Sequence, residues 1–181
     1  MKSVLMIAML VSVLWWGGGC VFTPNAYVEN AEFDLELPKR IQSPPIRIGV
    51  FKNLSGSDRR FLLRRGDGQV VSLEYQRWRL SPELMLMRCM YGAFQVAAQE
   101  SEEKVQVNAV IYRFEFDERG NAACLAADFV FPGDPAGRPA VRVDVSVPVG
   151  GSEDIGAARA AAMSGCARLA VEKLAGALNR K

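Results

Sequence analysis

Apolar and polar residues alternate along much of the chain, which is the pattern of strands with one buried face. Between residues 32 and 37, Phe33, Leu35 and Leu37 alternate with acidic residues. In the segment 46–51 the pattern predicts that Ile46, Ile48 and Val50 share one face. Further strands are predicted in a hairpin over 60–76 that turns at residues 66–68, in a longer hairpin over 104–117 and 122–131, and at 138–149.

Two segments show helical spacing of their apolar residues instead. The first begins at Ser81 and Pro82, since serine caps helices and proline suits the first helical turn. It is predicted to run to about residue 99. The second begins at residues 152–154 and is predicted to end near residue 179. The predicted buried stripes are Leu84, Met87, Met90, Tyr91, Phe94 and Ala98 in the first helix, and Ile155, Ala158, Ala162, Cys166, Leu169, Lys173 or Leu174, and Ala177 in the second.

The predicted elements follow one another as strands, helix, strands, helix. Such segregation favours an α+β fold rather than alternating βαβ units. We therefore expect an antiparallel-dominated, mixed sheet with two long helices packed on one face. A chain of 181 residues has room for one domain of ordinary size.

The first twenty residues have the composition of an export signal. Lys2 is followed by an apolar run from residue 4 to 16, then by three glycines and Cys20, which is the layout of a secretory signal peptide. A cysteine directly after small residues resembles the lipobox of bacterial lipoproteins, in which the thiol carries the lipid and the chain is cut before it. An uncleaved membrane anchor and an ordinary secretory signal remain alternatives, although the apolar run is shorter than the roughly 20 residues of a spanning helix.

This interpretation divides the chain into three parts. Residues 1–19 are a lipoprotein signal peptide, residues 20–31 are a lipid-anchored tether, and residues 32–181 are a single domain. Removal of the signal peptide also removes Lys2, which lowers the formal charge from +2 to +1. A nearly neutral chain argues against nucleic acid as a partner, because nucleic-acid binders carry a clustered basic excess. Whether the chain forms a homo-oligomer stays open.

The composition also disfavours an enzyme. The chain contains no histidine, which removes the usual general base and the commonest zinc ligand. No motif for a cofactor or metal is present, and we expect none. Apart from Cys20, the cysteines are Cys89, Cys124 and Cys166. Cys89 and Cys166 fall on the core-side faces of the two helices, so they are either free buried thiols or, if the helices lie side by side, a disulfide.

The stretch from residue 58 to 88 contains seven arginines and four acidic residues. Its candidate partner surface consists of Arg64, Arg65, Trp78 and Arg79. The arginines either line a solvated strand face or form a docking surface for acidic groups, since guanidinium pairs well with carboxylate and phosphate. Trp78 either fills the space between the hairpin and the first helix or anchors a partner.

The ordered combination of these segments resembles the ABC-type transport auxiliary lipoprotein family, of the PqiC and YmbA type. In that family a hairpin strand ends in tyrosine, a polar or basic pair and tryptophan, and a helix follows. The matching segments here are QVVSLEYQRWRLSPELMLMRCMYGAF at 69–94, FDLELP at 33–38, IRIGV at 46–50, RFEF at 113–116, the cysteine at 20 and the closing alanine-rich helix. The resemblance covers nearly the whole mature chain.

Membership in this family implies a role in the cell envelope. The chain would be a lipid-anchored, non-enzymatic accessory that docks an MCE-family periplasmic protein of an ABC lipid transporter, and the anchor would lie in the outer membrane, facing the periplasm. The alternative is an envelope structural or assembly lipoprotein, such as a helper of outer-membrane or cell-wall synthesis. An enzyme is the third and least favoured hypothesis.

Overall fold

The computed structural model describes residues 29–96 and 104–180. Within these ranges the chain forms seven strands and two helices. The strands are β1 (Ala31–Phe33), β2 (Ile46–Asn53), β3 (Arg60–Arg64), β4 (Val70–Trp78), β5 (Val105–Asp117), β6 (Ala122–Val130) and β7 (Val141–Pro148), and the helices are α1 (Pro82–Ala93) and α2 (Ile155–Leu178).

The strands form one mixed sheet in the order β1-β4-β3-β5-β6-β7, with β2 also paired to β5. The long pairs β5–β6 and β6–β7 are antiparallel, as is the β3–β4 hairpin. The pairs β1–β4, β2–β5 and β3–β5 are parallel. The predicted α+β class, with its two helices and mixed sheet, is confirmed.

The core lies between the sheet and the two helices. Alternate residues of β6, such as Leu125 and Phe129, are fully buried and belong to the same cluster as Cys166 and Leu174 of α2. Small residues bring α2 close to the sheet, because a Cβ atom added at Gly165 would lie only 3.2 Å from Val147. The opposite face of the sheet bears polar and charged side chains such as Glu115 and Arg113.

The opening strand is shorter than predicted. Only Ala31–Phe33 pair with β4, whereas the strand was expected over 32–37. Residues 34–45, which we call the strap, are extended and belong to no strand. Backbone N–H groups of the strap donate hydrogen bonds to both helices. Glu36 N–H donates to the Ser164 hydroxyl of α2 at 3.0 Å, and Ile41 N–H donates to the Ala93 carbonyl at 2.8 Å. The alternation at Leu35 and Leu37 therefore does not mark a strand, and Leu37 is exposed.

A bulge in β2 changes which residues face the core. Ile46 is buried as predicted, but the register shifts between Ile48 and Phe51. As a result Phe51 is buried and Val50 is 56% exposed. The prediction that Val50 shares the buried face of Ile46 is wrong, because an added residue reverses the alternation of the strand.

Helix α1 differs from its prediction in length and in its buried face. It ends at Ala93, where Phe94 is extended, and not near residue 99. The buried residues are Pro82, Met85, Leu86, Cys89, Met90 and Ala93. Leu84 and Tyr91, which were assigned to the buried stripe, are exposed. Ser81 does not cap the helix backbone, and its hydroxyl instead contacts the Glu83 carboxylate.

Helix α2 begins and ends close to the predicted residues. The Asp154 carboxylate caps it by accepting a hydrogen bond from Ala157 N–H at 3.0 Å. Ala158, Ala162, Cys166, Leu174 and Ala177 are buried as predicted, whereas Ile155 is 44% exposed. The buried face is wider than one stripe because β6, β7, β1 and α1 all pack against this helix.

The N-terminal predictions fall on residues that the structure does not describe. The signal peptide (1–19), the lipidated Cys20 and most of the tether lie before residue 29. Strand β1 begins at Ala31, one residue inside the predicted tether. Among residues 29–96 and 104–180, no helix is long and apolar enough to cross a membrane. Cys89, Cys124 and Cys166 are buried free thiols.

Candidate functional site

Trp78, one of the four predicted surface residues, is completely buried. Its ring lies 4.1 Å from Phe61 and 5.3 Å from Phe114, measured between centroids, and the second pair meets edge to face. We call Phe33, Phe61, Trp78, Phe114 and Phe116 the aromatic cluster. Trp78 therefore cannot contact a partner in this conformation, and the structure removes it from the candidate surface.

Arg64 is held by an internal ion pair. Its guanidinium contacts both oxygens of the Glu115 carboxylate, Nε to Oε1 at 2.7 Å and Nη2 to Oε2 at 3.1 Å. Arg113 binds the same carboxylate, with Nε 2.7 Å from Oε1. The Glu115 carboxylate raises the pKa of Arg64 further above its ordinary value. Because Glu115 is buried, Arg64 serves to neutralise it, although the Arg64 side chain remains 41% exposed.

Arg65 and Arg79 lie at opposite ends of the β3–β4 hairpin. Arg65 borders the turn, where its N–H donates to the Gln69 carbonyl at 2.7 Å. Arg79 follows the last residue of β4, and its N–H donates to the Phe33 carbonyl. A nine-residue strand such as β4 spans about 30 Å at roughly 3.3 Å per residue. The four predicted residues therefore do not form one surface.

The structure instead gathers arginines where β1, β3 and β4 meet. We call Arg59, Arg60, Arg77 and Arg79 the arginine cluster. Arg60 pairs across the strands with Arg77, and Arg77 pairs with Glu32 of β1. Arg59 binds the Glu32 carboxylate at 3.0 Å and the Trp78 carbonyl at 3.2 Å. Arg60 and Arg79 are exposed and form no ion pair with the described residues.

The charge of this cluster is only partly balanced. Directly opposed like charges on neighbouring strands destabilise a sheet, and Arg60 and Arg77 are such a pair. Glu32 is engaged by Arg59. The Asp58 carboxylate accepts hydrogen bonds from the N–H groups of Arg59 and Arg60, and these bonds and the charge of Arg60 hold its pKa below the ordinary value. The cluster is thus a net positive corner of the sheet, with Arg59, Arg60 and Arg79 exposed and Arg77 half-buried.

Two features of this site escaped the sequence interpretation. Arg60 and Arg77 are seventeen positions apart in the chain and become neighbours only through the register of the hairpin. Glu115 belongs to a strand that follows α1, so its pairing with Arg64 depends on the parallel contact between β3 and β5. Successive side chains of a strand point to opposite faces. The sequence alone therefore indicates that Arg77 and its neighbour Trp78 lie on opposite faces of β4.

The described residues show no arrangement of chemical groups typical of a metal centre. Among residues 29–96 and 104–180, no group of three or more cysteine, aspartate or glutamate side chains is placed to hold a metal ion. The candidate site that the structure offers is the arginine cluster, whose guanidinium groups have the chemistry to pair with carboxylate or phosphate.

Comparisons with known proteins identify the fold. No family model matches the chain, and no curated protein matches it. One solved structure, described as an uncharacterized protein, is similar with a TM-score of 0.60 and 12% identity, over 82% of this chain and 97% of that chain. Protein XCC0632 from Xanthomonas campestris, described as a DUF330 protein, is similar with a TM-score of 0.57 and 16% identity, over 81% of this chain and 92% of that chain. At these identities the likeness shows that the chain shares their fold.

Proposed function

We propose that this chain is an exported lipoprotein, anchored through Cys20, that acts as a non-enzymatic docking component of an MCE-type ABC lipid transport system. The lipid on Cys20 holds the domain at a membrane, in the outer membrane by resemblance to the family. The domain itself binds the periplasmic MCE protein. Two independent features support this role, the cysteine after a signal-like segment and the positive corner of the sheet.

The arginine cluster is the observation that carries the docking proposal. The four arginines of the cluster share two acids, Glu32 and Asp58, and Arg60 lies directly opposite Arg77, an arrangement that costs stability and so favours a role in binding. The aromatic cluster beneath them, with Trp78 and Phe61, gives this corner a rigid base. Such a surface fits a partner with an acidic patch, since complementary charge speeds association and orients the encounter.

The position of β1 fits an anchored domain. Ala31, the first residue of β1, follows Cys20 by eleven positions. A chain of that length spans at most about 36–40 Å when fully extended. The domain would therefore stay within roughly its own diameter of the membrane, with the β1–β4 corner connected most directly to the anchor.

The anchor is tested by metabolic labelling. Cells that produce the full chain are fed an alkyne fatty acid, and the labelled protein is detected after purification. Wild type and Thr23→Ala should carry the label, whereas Cys20→Ala should lose it. Equal labelling of the Cys20→Ala variant would contradict the anchor.

The partner is tested by capture from solubilised membranes. The full chain, tagged at its C-terminus, should retain the MCE-type protein encoded in the same genome. Capture of outer-membrane or cell-wall synthesis proteins in place of the MCE protein would support the alternative of an assembly lipoprotein. Loss of MCE capture while Cys20 remains labelled would contradict the docking role but leave the anchor standing.

A further inference from the structure

Strand β7 forms one outer edge of the sheet. It pairs only with β6, so the backbone groups on its other side have no strand partner among the described residues. The strand is eight residues long and contains no glycine, and its single proline is the last residue, Pro148. An edge of this length with strongly strand-favouring residues is a template for pairing with another chain.

The other edges of the sheet are less suited to such pairing. Strand β1 has only three residues. Strand β2 is interrupted by the bulge between Ile48 and Phe51, and bulges are one of the devices by which proteins protect an edge. Strand β7 has no bulge in its pairing with β6 and no inward-facing charge. It is therefore the long regular edge of the described sheet.

The side chains of β7 separate into two faces. Val143 and Val145 are buried in the core, with Val141 and Val147 packed against it. Arg142 and Asp144 are exposed on the opposite face. Arg142 uses Nε and Nη2 to bind Asp128, both at 2.8 Å, which leaves Nη1 without a hydrogen bond. Asp144 forms no side-chain hydrogen bond or ion pair within the described ranges, but its charge lies close enough to Arg113 and Arg142 to contribute to the raised pKa of each.

We propose that β7 pairs antiparallel with β7 of a second copy of this chain, about a two-fold axis at Val143. This register places Arg142 opposite the partner's Asp144 and, by symmetry, Asp144 opposite the partner's Arg142. Facing side chains in an antiparallel pair have Cβ atoms about 4.5–5.5 Å apart, within reach of an ion pair. The valines of both copies then extend one apolar face across the axis.

The charges select this register over its neighbours. An axis at Asp144 would place the two aspartates opposite each other, and like charges directly opposed are destabilising. An axis at Val145 would place Asp144 opposite the partner's Ser146 and leave Arg142 without an acid. A shift by an odd number of residues would turn the valines away from the core face. The pairing about Val143 is isologous, as two-fold dimers require.

Concave surfaces at both ends of β7 have room for the partner. One, of about 510 Å³, is lined by residues 136–142 together with Ala177 and Arg180. The other, of about 490 Å³, is lined at the opposite end by Val147, Pro148 and alanines of α2. In the proposed register the partner's residues 144–150 run along the first end and the partner's residues 136–139 run along the second.

Substitutions that reverse the charge at residues 142 and 144, made in two differently tagged copies, test the pairing. Two differently tagged full-length copies are produced in one cell and solubilised in mild detergent, and the second copy is measured after capture of the first. Wild type should capture wild type. Asp144→Arg and Arg142→Asp should each reduce self-capture at least tenfold, because each variant faces like charges across the axis. Co-production of Asp144→Arg with Arg142→Asp should restore capture, since every facing pair is then opposite in charge.

The rescue separates the interface from effects on folding, because an unfolded variant would not be restored by its counterpart. Circular dichroism melting of each variant provides a second check. Absence of wild-type self-capture, undiminished capture by the single variants, or failure of the mixed pair to associate would each overturn the proposal. The inference does not depend on the proposed transport role, and Cys20 labelling or MCE capture can fail while this pairing stands.

Discussion

At the scale of single residues, Trp78 is a candidate surface residue that the fold places in the core. Phe61 of β3 and Phe114 and Phe116 of β5 contact its ring, and Phe33 of β1 contacts Phe61. The aromatic cluster therefore connects four strands, β1, β3, β4 and β5. Buried aromatic pairs stabilise a fold beyond the area they bury, so this cluster adds to the backbone pairing that attaches β1 and β4 to the rest of the sheet.

Replacement of Trp78 by alanine should lower the free energy of unfolding by about 3–5 kcal/mol, because a fully buried indole leaves a large cavity. Tyr75→Ala on the same strand is the control, since its side chain is 46% exposed and its loss should cost about 0.5 kcal/mol or less. Urea unfolding followed by circular dichroism measures both. Equal stability of the two variants would contradict the structural role of Trp78.

The buried thiols are predicted to be unreactive in the folded protein. Burial raises the pKa of Cys89 and of Cys166 to about 12, and the thiolate is the reactive form. At pH 8 both side chains should therefore remain protonated and resist maleimide for hours, whereas they should react within minutes in concentrated urea. Peptide mass spectrometry after labelling distinguishes the two sites. Rapid labelling of either cysteine without denaturant would show that its helix opens locally.

At the scale of elements, the sequence predicted best those segments whose pattern is local. The β5–β6 hairpin and the β3–β4 hairpin have regular alternation around clear turn residues, and both were found. The errors arose where tertiary contacts override the local pattern. The bulge at Val50 depends on pairing with β5, and the end of α1 depends on the strap, whose Ile41 N–H binds the Ala93 carbonyl. The exposed face of α1, with Leu84 and Tyr91, follows from its contacts with β2 and α2.

Helix α2 provides a test of close packing between elements. A Cβ atom at Gly156 would lie 2.5 Å from Phe33 Cζ, whereas a Cβ atom at Gly176 meets nothing within 4 Å. Gly156→Ala should lower the free energy of unfolding by about 1–3 kcal/mol through overpacking. Gly176→Ala should raise it by up to about 1 kcal/mol, because alanine favours the helix. Thermal melts of both variants decide the point, and a stabilised Gly156→Ala variant would show that α2 does not press on β1.

At the scale of the whole molecule, the candidate surface could be predicted only in part. The sequence showed that residues 59–88 are rich in arginine, and the exposed Arg79 remains in the candidate surface. Of the two roles considered for Trp78, the structure shows the core-filling one, because the aromatic cluster buries its ring, whereas Arg64 is bound to Glu115 with its side chain 41% exposed. Both contacts are made with β5, which lies after α1 in the chain. The fold therefore places the four predicted surface residues at different sites. It brings Arg60 and Arg77 together instead.

The docking role of the arginine cluster predicts an effect that depends on position and on salt. Arg60→Glu combined with Arg79→Glu should slow association with the MCE-type protein by about tenfold at low salt, since charge steering acts on the encounter rate. Arg65→Glu with Arg119→Glu is the matched control, because it reverses two exposed arginines by the hairpin turn, at the far end of β4. That control should associate at nearly the wild-type rate.

Surface plasmon resonance with the purified partner, at a series of salt concentrations, measures both pairs of substitutions. The wild-type rate should fall as salt rises, because ions screen exposed charges over about 10 Å at 0.1 M, and the rates of wild type and the Arg60/Arg79 variant should converge at high salt. All four residues lie on the surface, so neither variant should change the melting temperature by more than a few degrees. A wild-type rate independent of salt, or an equal loss in both variants, would mean that the partner does not recognise this corner of the sheet.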